Sequence, residues 1–87
     1  MYVIIVYDIA QERVSKACSL LRRYLNWIQN SVFEGEVSES GLHKIKQEIK
    51  KVVKESEDSV IFYVTTSKKI VEREVLGIEK NDASNLI

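Results

Sequence analysis

The run Tyr2-Val3-Ile4-Ile5-Val6-Tyr7 constrains this chain most, because every residue in it is β-branched or aromatic and the run stops abruptly at Asp8. Such side chains favour a pleated strand, and the lack of polar alternation means that both faces of the strand are covered. The run therefore predicts a central strand, with Met1, Val3, Ile5 and Tyr7 on one face and Tyr2, Ile4 and Val6 on the other. It is too short for a membrane helix and lacks the basic flank of a signal peptide, so the cytoplasm is the expected address.

The rest of the chain supplies the partners of that strand. Val14, Ala17, Cys18, Leu21 and Leu25 recur at intervals of three and four, which predicts an amphipathic helix over 12–24. Trp27-Ile28 and Val32-Phe33 flank Gln29-Asn30-Ser31, reading as two short extended segments joined by a turn or bulge. Ser38 or Ser40 caps a second helix whose buried stripe is Leu42, Ile45, Ile49, Val52 and Val53, closed by 54–58. Residues 59–65 (S-V-I-F-Y-V-T) form another doubly apolar strand, and 71–78 hold one more, with Gly77 near its end. There is no proline, linker or repeat, so one domain spanning 1–87 is expected.

The order βαββαβ, with right-handed crossovers, places both helices on one face of an antiparallel sheet. The fold class is thus α+β, a ferredoxin-like sandwich with an extra C-terminal strand. Two helices cover one face only, whereas the first strand is apolar on both. A second copy related by a twofold axis is the simplest cover, and a homodimer is expected.

Several chemistries lack support. The 13 basic and 13 acidic residues cancel, so nucleic-acid binding would have to come from local clusters. Cys18 stands alone and falls at an apolar helical position, as a buried structural thiol does in a reducing compartment. His43 has no companion ligands and reads as a solvated residue, while Gly35, Gly41 and Gly77 are too scattered for a phosphate loop.

What remains centres on Asp8. It shares a face with Ile4 and Val6 and emerges at the mouth of the sheet, as a site residue or as the cap of the first helix. A twofold axis would turn one carboxylate into two, enough with waters and phosphate oxygens to hold Mg²⁺ or Mn²⁺. Arg13, Lys16 and Arg23 follow one helical face and either grip a phosphate backbone or pair with neighbouring acids. The lysines of the second helix, interspersed with Glu48 and Glu55, read as a solvated face. Trp27 and Phe33 either stack on bases, with Gln29, Asn30 and Ser31 bonding phosphate, or fill the core; for Phe33 the core or a dimer interface is the better fit.

The segments M-Y-V-I-I-V-Y-D-I, L-N-W-I-Q-N-S-V-F-E-G, D-S-V-I-F-Y-V and R-E-V-L-G-I-E, in this order, resemble the small CRISPR-associated adaptation protein family, whose members are commonly described as endoribonucleases. The resemblance implies a ferredoxin-like homodimer in which the C-terminal strand of one subunit joins the sheet of the other. It also implies a metal-dependent nuclease activity carried by the motif aspartate, which is Asp8 here. On the same resemblance, Tyr7 belongs to the strand-end pair, Arg13 to a basic position of the first helix, and Gln29, Ser31 and Phe33 to the second-strand motif. Trp27 and Ser15 stand where many members carry arginine. The family further implies a place in spacer acquisition, with the dimer bridging a partner integrase and binding DNA. A non-catalytic DNA-binding scaffold and a ligand-binding ferredoxin-like regulatory domain are the competing functions.

Overall fold

The computed structural model describes residues 1–81; residues 82–87 of the expected single domain lie outside the described residues. The elements are β1 (Tyr2–Asp8), α1 (Gln11–Arg22), β2 (Asn26–Gln29), β3 (Val32–Glu36), α2 (Glu39–Val52) and β4 (Ser59–Thr65). The strands form one antiparallel sheet in the order β2-β3-β1-β4, the ferredoxin-like arrangement.

Register assigns the two faces of the sheet. Ile5 lies opposite Phe33 and Phe62, Val3 opposite Gly35 and Val64, and Tyr7 opposite Val60, all on the face covered by the helices. There Val3, Ile5 and Phe33 are completely buried and pack with Ala17, Leu20 and Leu21 of α1 and Leu42, Ile45 and Ile49 of α2. Gly35 belongs to this layer because a Cβ there would lie 3.0 Å from Leu25 Cδ2. Glycine lets β3 pass beneath the end of α1.

The local signals explain the ends of most elements. The Ser38 side chain accepts a hydrogen bond from Gly41 N at 3.0 Å and starts α2. The β2–β3 connection turns through Asn30, whose φ of 42° is in the left-handed region that asparagine tolerates, and a bulge shifts the ladder between Trp27 and Gln29. The indole of Trp27 donates to Asn30 O at 3.0 Å and braces this turn.

The other face carries Tyr2, Ile4, Val6 and Asp8 of β1, with Val32 and Glu34 of β3 and Ile61 and Tyr63 of β4. Its cover is partial. Beyond a 3-10 turn at Lys68–Ile70 the chain runs back over the β2 side of this face, where Arg73 donates to Glu34 at 2.9 Å. Lys68, Val71 and Arg73 border a shared cavity with Tyr2, Asn26, Ile28 and Glu34, and Tyr2 is only 6% exposed. Towards β4 the face stays open, with Ile61 45% and Tyr63 55% exposed.

The strand expected within 71–78 is not formed in the single chain. Residues 71–81 contain no strand and extend neither edge of the sheet. A strand is defined by its ladder partner, and the tail meets side chains of the open face instead of a free backbone edge.

Candidate nucleic-acid and metal site at the end of the central strand

Asp8 ends β1 opposite Ser59, the first residue of β4. It is exposed on the open face, and among the described residues its carboxylate enters no ion pair. It does not cap α1, whose N-cap is Ala10 without a side-chain bond. The cap reading of Asp8 is therefore set aside, and the carboxylate is left available to a ligand.

The β2–β3 turn sits at the same end of the sheet. Tyr7 N donates to Ser31 O at 3.1 Å, which brings Ser31 beside the Tyr7-Asp8 pair, with Gln29 exposed just before it. Asp8, Gln29, Ser31 and Ser59 thus form the polar rim of one sheet end. Carboxylate oxygen is a hard donor that suits Mg²⁺ or Mn²⁺. Among the described residues no group of three His, Cys, Asp or Glu side chains gathers within one chain.

Tyr7 is a correction to the expected nucleic-acid contacts. Strand alternation turns it away from Asp8 into the core, where it is 6% exposed, its ring centroid lies 6.1 Å from that of Phe33, and its hydroxyl lies 3.0 Å from Cys18 Sγ. Burial first, and the Cys18 contact second, push its phenol up to about 12. Phe33 is likewise core, completely buried.

Arg13 is a second correction. Its Nε donates to Asp58 Oδ2 at 2.7 Å and its Nη2 to Asp58 Oδ1 at 2.9 Å, while Glu57 and Glu12 complete the pairing at 3.2 and 3.3 Å. A guanidinium forked onto one carboxylate and flanked by two more is committed within the protein and has little left for phosphate. Arg23 is the third. It lies beyond the far end of α1, roughly 18 Å along a twelve-residue helix, and pairs with Glu48 of α2 at 3.4 Å. Lys16 remains exposed on α1 and joins no ion pair among the described residues.

The residue that sequence reasoning missed is Asp58. Its side chain is completely buried and accepts four hydrogen bonds: two from Arg13, one from Ala10 N at 2.9 Å and one from Lys54 N at 2.8 Å. The Arg13 bond is the main reason its carboxyl lies well below the usual carboxylate range. Forty-five residues separate the partners, and no periodicity links them.

The family model for CRISPR associated protein Cas2 matches residues 1–73. The chain belongs to the Cas2 family. A Cas2 described as a CRISPR-associated endoribonuclease in Dictyoglomus turgidum is 49% identical over the full length of both chains, and one of the same description in Methanosarcina acetivorans is 51% identical, again over both full lengths. A crystal structure of a Cas2 superposes with a TM-score of 0.86 at 45% identity, covering 94% of this chain and 92% of the other. The Cas2 of Streptococcus pyogenes, crystallised at pH 6.5, gives 0.77 at 30% identity over 88% of this chain and all of that one. The Cas2 likeness thus covers the sheet, both helices and the strand-end aspartate together.

Proposed function

We propose that this Cas2 protein is a metal-dependent endoribonuclease of CRISPR antiviral defence that works as a twofold dimer. The observation that carries the reading is Asp8, a carboxylate that ends the central strand on the open face of the sheet, exposed and without an ion-pair partner among the described residues. The description of the relatives as endoribonucleases supports the activity. Ile61 and Tyr63, exposed on the same face, support burial of that face against a second copy.

In this reading Asp8 of each protomer would hold the Mg²⁺ or Mn²⁺. When bound, the ion supplies Lewis acidity towards the scissile phosphate. Gln29 and Ser31 hydrogen-bond the substrate beside the cleavage point, and Lys16 meets the flanking backbone charge. The resemblance to adaptation proteins also supports a role in spacer acquisition beside a partner integrase, with the dimer binding DNA.

Labelled RNA and duplex DNA incubated with the purified protein test the reading. Cleavage is expected with Mg²⁺ or Mn²⁺, and it is expected to stop on chelation and in Asp8→Asn. Cleavage that survives both treatments overturns the proposal.

A further inference from the structure

Asp8 is held inside a small closed circuit. Two residues after it, Ala10 N donates to Asp58 Oδ1; the residue after Asp58 is Ser59, which pairs in register with Asp8 itself. The loop Asp8-Ile9-Ala10, the hydrogen bond to Asp58, and the step to Ser59 enclose the end of β1. Asp58 is itself fixed by three further bonds, from the Arg13 fork and from Lys54 N. A carboxylate has room for about four such donors, so Asp58 is fully engaged. One completely buried side chain therefore ties together the β1–α1 turn two residues after Asp8, the first turn of α1 and the α2–β4 connection that leads into Ser59.

This arrangement does more than hold the fold. The hydrophobic layer holds the chain on either side of Asp8 through Tyr7 and Ile9, both members of the core, and the backbone just beyond Ile9 is held by the Ala10–Asp58 hydrogen bond. What the Asp58 circuit determines is the direction in which the chain leaves β1 and, with it, the placement of the Asp8 carboxylate. We propose that Asp58, clamped by Arg13, is a positioning residue for Asp8, and that the helix-one arginine acts through this clamp and not by touching RNA. The inference rests on the reading of Asp8 as the catalytic carboxylate.

Arginine and lysine differ in a way that makes the proposal testable. A phosphate contact is served by either cation, whereas a fork across both oxygens of Asp58 is available to arginine alone. The experiment uses the full-length protein and a short labelled RNA, with Asp58→Asn, Arg13→Lys and Arg13→Gln. RNA affinity is measured at several salt concentrations for each substitution combined with Asp8→Asn. All three single variants are expected to lower kcat by about 10- to 100-fold, as displacement of a reacting group by an ångström does, with KM unchanged. Affinity and its salt dependence are expected to match those of Asp8→Asn alone. Hydrogen exchange at the Ala10 amide is expected to quicken in Asp58→Asn. Should Asp58→Asn fold poorly, Arg13→Lys carries the test.

Full kcat in both Asp58→Asn and Arg13→Lys overturns the inference. So does near-normal cleavage by Arg13→Lys when Arg13→Gln loses RNA affinity and about one unit of salt slope, since that is the signature of a phosphate contact. Unimpaired cleavage by Asp8→Asn is a separate result that removes the reading of Asp8, and this inference with it.

Discussion

Tyr7 and Asp8 are adjacent in the chain and face opposite sides of the sheet: the Tyr7 hydroxyl lies 3.0 Å from Cys18 Sγ in the core, while Asp8 is exposed on the open face. Of the conspicuous Y-D pair, therefore, Tyr7 belongs to the core and Asp8 to the exposed face. Tyr7→Phe is expected to cost about 0.5–1.5 kcal/mol at neutral pH, the range for a lost hydrogen bond, and to leave RNA affinity unchanged. The pH dependence has a definite sign. The phenol is raised from 10.0 to about 12, so above pH 10 the unfolded chain loses its proton first and stability falls as pH rises towards 12. Denaturant titrations from pH 8 to 12 should show Tyr7→Phe with a shallower decline than the parent.

Acid acts through Asp58 in the opposite direction. Its folded carboxyl lies below the ordinary 3.8, so the stability it contributes is complete above that value and is lost as pH falls further. Glu57, lowered by Lys54 and then Arg13, adds to the same trend. Urea midpoints at pH 7 and pH 3 should converge in Asp58→Asn relative to the parent; an undiminished gap would show that the acid sensitivity arises elsewhere.

Phe33 tests the division between core and site. It is completely buried between Ile5 and the helices, so Phe33→Ala is expected to destabilise the protein by about 3–5 kcal/mol. Under conditions where the variant is fully folded, its RNA affinity should equal that of the parent. A variant of normal stability with weak RNA binding would return Phe33 to the substrate surface.

The open face makes a prediction about assembly. Tyr63→Glu places a charge in the middle of the exposed Ile61-Tyr63 strip, opposite Ile4. Sedimentation is expected to show a monomer in place of a dimer, with cleavage lost because the paired Asp8 carboxylates separate. An intact dimer would place the contact on another surface.

Much of this was legible in the sequence where periodicity and burial agree. β4 runs over 59–65 as its apolar pattern requires, the stripe Leu42-Ile45-Ile49 is the buried side of α2, and Asn30-Ser31 marks the turn between two short strands. Alternation also placed Asp8 with Ile4 and Val6. Sequence reasoning was least informative where a residue's partner is distant. Arg13 looked like a member of a basic stripe because its three carboxylates include two from the α2–β4 connection, which helical spacing cannot reveal. Arg23, at the other end of α1, stays exposed and makes a single long contact with Glu48, another partner that helical spacing does not reveal. The segment 71–78 carries Val71, Val75 and Ile78, which suggest a short strand, yet β-branched residues do not by themselves supply a ladder to join.

The start of α1 has a consequence for the order of folding. Ala10 brings no capping side chain, and the carboxylate that receives its amide comes from a residue 48 positions later. Closing so long a loop is entropically expensive and is repaid only when β4 docks beside β1. The corner bearing Asp8 therefore takes its final form among the last parts of the molecule, and a chain still emerging from the ribosome carries the aspartate without its folded surroundings.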